Sequence, residues 1–272
     1  LDRPVYRSQR MLYPLLAAPA RLFGQWAMVW WMLGINVLAI VAGTFLTARL
    51  AQRLGLSPWF GLAFTLNPGV WGEINAGSAG TVAWALAVGG ILMYVEGRLP
   101  VAVGLLVAAV LAREAMLLVV AGVGFDMWRN QRRVPISLAA PLLAAVAWGV
   151  YVRLRLGEGL LASESEEFGI PLAGFIGAVR EWLSDSDAVR LMAGLVFVVI
   201  LVRFAALVRR VPHLLGWSVI GFALIAPLLS RQVWYNARDI SRAVLPVVTM
   251  FALLAGLDIK QSRDRADAEL TA

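Results

Sequence analysis

The stretch VLAREAMLL, Val110–Leu118, sets Arg113 and Glu114 side by side inside an apolar run. From Leu99 to Phe125 no other residue is charged. An ionised side chain in an apolar interior is expensive unless it is paired or hydrated. Where this pair lies relative to a membrane therefore decides how the whole chain is threaded.

Composition requires the membrane. The 272 residues are 60% hydrophobic and 15% charged, whereas a soluble domain carries roughly 45–50% apolar and about 25% charged residues. Mean hydropathy is +0.76. The apolar residues fall in long runs separated by short basic clusters, which is the pattern of an all-α, polytopic transmembrane bundle. With no Cys there is neither a disulfide framework nor a thiolate metal site. The single His, His213, rules out histidine-cluster metal sites and reads as a turn residue after Pro212. The net charge of +7 includes one lysine, Lys260, among 24 basic residues. In a membrane chain such an excess is first a matter of topology, because Lys and Arg collect in cytoplasmic loops. Nucleic acid is not an expected partner; membrane lipid is.

The clearest spans are Trp26–Ala48, Ser78–Val95, Pro135–Val152, Ala188–Val208, Leu214–Ser230 and Ala243–Leu257. Pro58–Gly72 falls short of the roughly 20 residues that a straight span needs, and Asn67-Pro68 interrupts it. Pro100–Met127 suits one span, or two short helices meeting at Arg113-Glu114. The expected fold is a bundle of about eight or nine membrane helices, some of them short. Residues 1–258 would form one membrane domain in the inner (plasma) membrane and 259–272 a charged cytoplasmic tail. The opening LDRPVYRSQR has neither Met nor a signal-like segment, so the chain reads as a fragment lacking an N-terminal helix and a first outer loop.

Charge bookkeeping favours the two-helix reading. The tail, the Arg209-Arg210 turn and the Arg129–Arg133 cluster look cytoplasmic, whereas Gly157–Asp187 holds seven acids and one arginine, Arg180, and suits the outside. If Glu96–Arg98 and Arg129–Arg133 are both inside, Pro100–Met127 must go out and return, with Arg113-Glu114 at the outer turn. One long helix with a mid-membrane ion pair is the alternative. Against this scheme, the arginine-rich N-terminal stretch and the loop Arg231–Arg242 fall outside. The segment Ile170–Leu183 is apolar enough to lie along the outer interface.

The outward polar residues include Arg7, Arg10, Tyr13, Glu73, Arg113, Glu114, Tyr235, Arg238, Asp239 and Arg242. Arginine is the usual residue for bidentate phosphate recognition. Several arginines and a few carboxylates on one membrane face therefore fit a lipid-phosphate ligand. Each also has a structural reading. Arg113-Glu114 could cap two short helices, Glu73 could be a solvated turn residue, and Arg238, Asp239 and Arg242 could flank a helix start. A divalent metal held through Glu73 would rest on a single carboxylate, too few for a defined site.

Three segments together carry a family likeness. PVYRSQRMLYPLLA (Pro4–Ala17) resembles the segment after the first extracytoplasmic loop in bacterial membrane proteins similar to GT-C glycosyltransferases, where a Y-R-x-Q-R-x-L-Y-P run precedes a membrane helix. LAREAMLL (Leu111–Leu118) resembles their L-T-R-E/K-x-x-L turn, and SRAVLPV (Ser241–Val247) their S-R-x-x-L-P helix start. The resemblance implies a GT-C-like fold and an extracytoplasmic site that moves a sugar from a polyprenyl-phosphate donor, as a mannosyltransferase does, to a lipid, glycan or protein acceptor. It matches Arg7 and Arg10 to the YRxQR run, Arg113 and Glu114 to the turn, and Arg242 to the late Ser-Arg. The family's first-loop acidic residue, commonly the presumed catalytic Asp, would lie before Leu1; the resemblance implies that residue as the main base, with Glu73 or Glu114 as the alternatives within this sequence. Arg113, Arg238 and Arg242 would stabilise the leaving phosphate. Two other classes remain open: a transporter or flippase for an anionic lipid or solute, and a non-catalytic membrane subunit.

Overall fold

An apolar run removed from water must close its own backbone hydrogen bonds, and a helix does so within one segment. In the computed structural model, which describes residues 10–156 and 168–271, every regular element is helical. In chain order these are α1 (Leu12–Ala17), α2 (Gln25–Arg53), α3 (Pro68–Asn75), α4 (Gly80–Val95), α5 (Leu99–Ala112), α6 (Leu117–Gln131) and α7 (Ala140–Leu156). There follow α8 (Ala173–Ser184), α9 (Ala188–Arg210), α10 (Ile220–Ile225), α11 (Arg231–Tyr235), α12 (Ala237–Ala243) and α13 (Leu245–Thr271), with short turns between them. The chain divides into two compact units, Leu1–Thr47 with Glu73–Glu164, and Ala48–Gly72 with Ser165–Ala272.

Four stretches among the described residues are long and apolar enough to cross a membrane: Gln25–Arg53, Ile136–Arg155, Ala188–Arg210 and Leu245–Leu270. Four of the six clear apolar runs of the sequence fall on them. In the first three, only 17%, 17% and 22% of the most apolar window is covered by protein. Their outward rows, such as Val37, Leu38 and Val41, or Val196, Val199 and Val202, are exposed. Contiguous apolar surface on that scale is an aggregation hazard in water and ordinary in lipid. These helices mark the chain as a membrane protein.

The other two runs behave differently. Ser78–Val95 becomes α4, a helix of 16 residues that is apolar all round and buried along most of its length. That is the signature of an inner helix. The expectation of a single span over Leu214–Ser230 is corrected: the run folds as the turn Leu214–Trp217, α10 and the turn Ala226–Leu228. The helix fails where the Ser218 hydroxyl donates to the Leu215 carbonyl and Val219 leaves helical geometry. Pro227, in the turn that follows, has no backbone N–H to give. The helix α13 continues through the charged stretch to Thr271, with its outer residues exposed.

In the first unit α4 and α5 are antiparallel and closely packed. Gly90 permits the approach, because a Cβ there would lie 2.9 Å from Leu106 Cγ. Then α5 stops at Arg113, whose backbone is extended (φ −155°, ψ 118°), a tight turn covers Glu114–Met116, and α6 follows. The Tyr94 hydroxyl donates to Asp126 Oδ2 at 3.1 Å, which ties the far end of α6 to the far end of α4. The chain therefore reverses at Arg113-Glu114, and one continuous helix over Pro100–Met127 does not form. The two arms are not a tight pair, since α5 packs on α4 and α7 rather than along α6.

In the second unit the Asn67-Pro68-Gly69 interruption has a structural role. Asn67 Nδ2 donates to the Leu245 carbonyl (2.8 Å) and to Thr249 Oγ1 (2.9 Å), while its Oδ1 accepts from Gly69 N–H (2.9 Å). One buried amide thus starts α3 and fastens it to the first turns of α13. Gly69 is required there, because any Cβ would run into the Ser241 carbonyl.

Candidate functional site

The first unit gathers Arg10, Glu73, Arg113 and Glu114. At the end of α3, Gly77 adopts φ +58° and closes the helix, with Gly77 N–H donating to Ile74 O and Ser78 N–H to Glu73 O. Glycine suits this left-handed position because it has no Cβ to clash. The reversal brings the start of α4 onto the Glu73 side chain, where Gly80 N–H donates to Glu73 Oε2 at 3.0 Å. Arg113 Nη1 donates to Glu73 Oε1 at 2.7 Å. Only 1% of the Glu73 side chain is exposed, so it is not the solvated turn residue that its sequence context allows. A buried carboxylate is tolerable when its charge is paired and its oxygens accept hydrogen bonds, and a helix N-terminus adds favourable polarity. A Cβ at Gly80 would collide with this carboxylate.

This geometry narrows the roles open to Glu73. With a guanidinium 2.7 Å from one oxygen and a helix N-terminus at the other, a cation would meet strong repulsion. The metal role considered for it does not fit, and among the described residues no group of three or more His, Cys, Asp or Glu could hold a metal. Nor is Glu73 placed to take a substrate proton, because both of its oxygens are already engaged, one by Arg113 and the other by Gly80 N–H.

Glu114 is different. Its Oε1 lies 3.6 Å from Arg10 Nη2, and its Oε2 is buried without a hydrogen-bond partner. It lines a cavity of about 320 Å³ together with Leu117, Val146, Trp148, Gly149 and Arg153. Glu114 and Arg153 are the charged residues of a lining that is otherwise apolar or aromatic. Small-molecule sites have this composition, with mostly hydrophobic walls and a few directed polar groups, and begin at roughly this volume. Nearby in the same unit Tyr13 is buried, accepts from Asn36 Nδ2 at 2.7 Å and donates weakly to Met32 O. Burial pushes its hydroxyl above the ordinary tyrosine pKa, the Asn36 bond partly reverses this, and the Glu73 charge adds to the rise.

Arg238 and Arg242 belong to the second unit. Arg238 Nε and Arg242 Nη1 approach the same oxygen of Asp239, at 3.4 and 3.1 Å. Gly72 lets α12 come close, since a Cβ there would meet Arg242 Cγ at 3.0 Å and Arg238 Cγ at 3.2 Å. In the same unit Arg190 stacks over the Tyr235 ring at 4.6 Å, and the Tyr235 hydroxyl donates to Asp185 Oδ2 at 3.2 Å. Of the arginines of the YRSQR run, Arg10 is described and Arg7 lies outside the described residues. His213 accepts from Leu215 N–H through Nδ1 and so starts the turn that follows it.

Sequence reasoning misses Arg153 and Trp148. An arginine and an aromatic near the end of a span look like interface anchors, and only the fold brings them into the lining of the cavity that holds Glu114. No family model, no curated protein and no solved structure matches this chain.

Proposed function

We propose that the protein is an integral membrane glycosyltransferase of the GT-C type that uses a polyprenyl-phosphate sugar, with the Glu114 cavity of the first unit as its reaction site. In this reading the short helices α4, α5 and α6 cross the plasma membrane together with the long ones. With the four long helices that makes seven of the about eight or nine passages expected of the chain, with the site on the extracytoplasmic side. The observation that carries it is Glu114 itself, one oxygen near Arg10 and the other bare, in a cavity that also holds Arg153.

The chemistry follows from those groups. The acceptor hydroxyl gives its proton to Glu114 as its oxygen bonds to the anomeric carbon. The bond from that carbon to the phosphate oxygen breaks, and the electron pair leaves with the phosphate. Charge developing on the leaving group is stabilised by fixed cations in a site of low polarity, a task that falls to Arg153 and Arg10. Glu73 acts at one remove, as the residue that holds Arg113 in position.

The test is release of polyprenyl phosphate by the full-length protein in lipid nanodiscs supplied with polyprenyl-phosphate hexoses. Glu114→Gln, which keeps shape and removes the base, is expected to lower turnover at least about 100-fold. Turnover by the wild type that Glu114→Gln leaves unchanged rules out the assignment. Donor that crosses the bilayer intact, without release, would make the protein a carrier instead.

A further inference from the structure

We propose that α8 and the segment leading into it form a membrane-surface anchor, which seats one apolar face among lipid acyl chains and holds anionic headgroups through Arg180. The helix has two opposed faces. Gly174, Ala178 and Trp182, spaced four apart, are buried and form its docked face. A Cβ at Gly174 would collide with the Leu229 carbonyl, and Trp182 Nε1 donates to Tyr235 O at 3.2 Å. Before it, Gly169 and Leu172 N–H donate to Leu228 and Pro227 carbonyls at 2.8 and 2.7 Å, so the lead-in is fastened too.

The opposite face has no such cover. Ile170 is 77% exposed, Leu172 53%, Ile176 48% and Leu183 61%, and Arg180 is exposed among them. Residues 176, 180 and 183 fall within one helical stripe, turned away from the docked one, and Leu172 stands at the helix start. Two observations name lipid as the occupant. After a three-residue link from α8, α9 begins as a span whose first outward residues, Val189 and Met192, are 80% and 61% exposed. The apolar face of α8 therefore adjoins a lipid-facing surface at the membrane boundary. The charges are also sorted. Glu181 faces Arg231 at 3.7 Å and Asp185 accepts from Tyr235, which turns these acids toward protein, while Arg180 stands on the free face. An apolar stripe with a basic residue is how a helix rests in an anionic interface.

The chain has no cysteine, so single spin labels can be placed without altering it elsewhere. Full-length Ile176→Cys and, independently, Leu172→Cys are labelled in vesicles of phosphatidylcholine with phosphatidylglycerol, with Ser184→Cys as the edge control. Labels at 176 and 172 are expected to collide several-fold more with oxygen, relative to a water-soluble nickel chelate, than the label at 184. Arg180→Glu is expected to reduce that ratio in vesicles containing phosphatidylglycerol and to leave it unchanged in pure phosphatidylcholine. Labels at 172 and 176 as accessible to nickel as the control would make the face aqueous. Labels immobilised and shielded from both reagents would mean that protein, a second copy included, covers it. Either result overturns the proposal, and neither bears on the glycosyltransferase reading.

Discussion

Arg113 and Glu114 are neighbours in the chain with separate duties. Arg113 turns to Glu73 at 2.7 Å and completes a buried charge pair. Glu114 lines the cavity and keeps one buried oxygen without a hydrogen-bond partner. The extended backbone of Arg113 makes the separation, because it sends successive side chains in different directions. Removing one partner of a buried pair leaves the other charge stranded, which typically costs about 3–5 kcal/mol. Glu73→Gln is therefore expected to lower stability by about that amount. A melting experiment in nanodiscs reads it, and the double variant Glu73→Gln with Arg113→Leu should recover part of the loss. Melting of Glu73→Gln at the wild-type temperature would show that the pair adds nothing to stability. By contrast, Glu114→Gln should melt like the wild type, since its ion pair with Arg10 is long at 3.6 Å and partly exposed.

At the scale of elements, what the sequence presents as interruptions are joints. Asn67-Pro68-Gly69 breaks an apolar run, and the break lets one amide join α3 to α13 through three hydrogen bonds. Asn67→Ala leaves those groups without partners in a buried place, a loss of about 1–3 kcal/mol. The expected result is a lower melting temperature, and hydrogen exchange should rise first at the start of α13. Exchange rising evenly over the chain would contradict a local joint. The single lysine works in the same unit in a related way. Gly55 ends α2 at φ +70°, and Lys260 Nζ reaches the Leu54 carbonyl at 3.5 Å. A cation at a helix C-terminus is favoured by the helix dipole, and this contact holds α13 beside the end of α2's last turn.

For the whole molecule, the membrane governs both stability and topology. Three of the four long helices leave most of their apolar surface uncovered by protein, so the folded chain requires a lipid or detergent shell. The chain reversal at Arg113-Glu114 makes a further demand. Ala115 lies at the turn, and Gln131 lies at the far end of α6, which the Tyr94–Asp126 bond ties to the end of α4. Ala115→Cys and Gln131→Cys are accordingly expected to react with impermeant thiol reagents from opposite sides of sealed vesicles. Reaction of both from one side would remove α6 from the list of membrane passages.

Much of this was legible in the residues alone. Composition and the spacing of apolar runs determined a helical membrane protein, because a long apolar run has few ways to satisfy its backbone out of water. The charge pattern around Pro100–Met127 also called for a reversal at Arg113-Glu114, which the fold contains. What sequence left undecided was which charges meet. Glu73 and Arg113 are forty residues apart in the chain, and no local rule distinguishes a buried hub from a solvated turn. The same holds for Leu214–Ser230, apolar enough for a span and yet broken by side-chain bonds and a proline. Pairing, burial and cavities depend on how helices pack, and packing is fixed by contacts between residues far apart in sequence. That is why only the tertiary structure could separate the carboxylate that holds the fold from the one that faces open space.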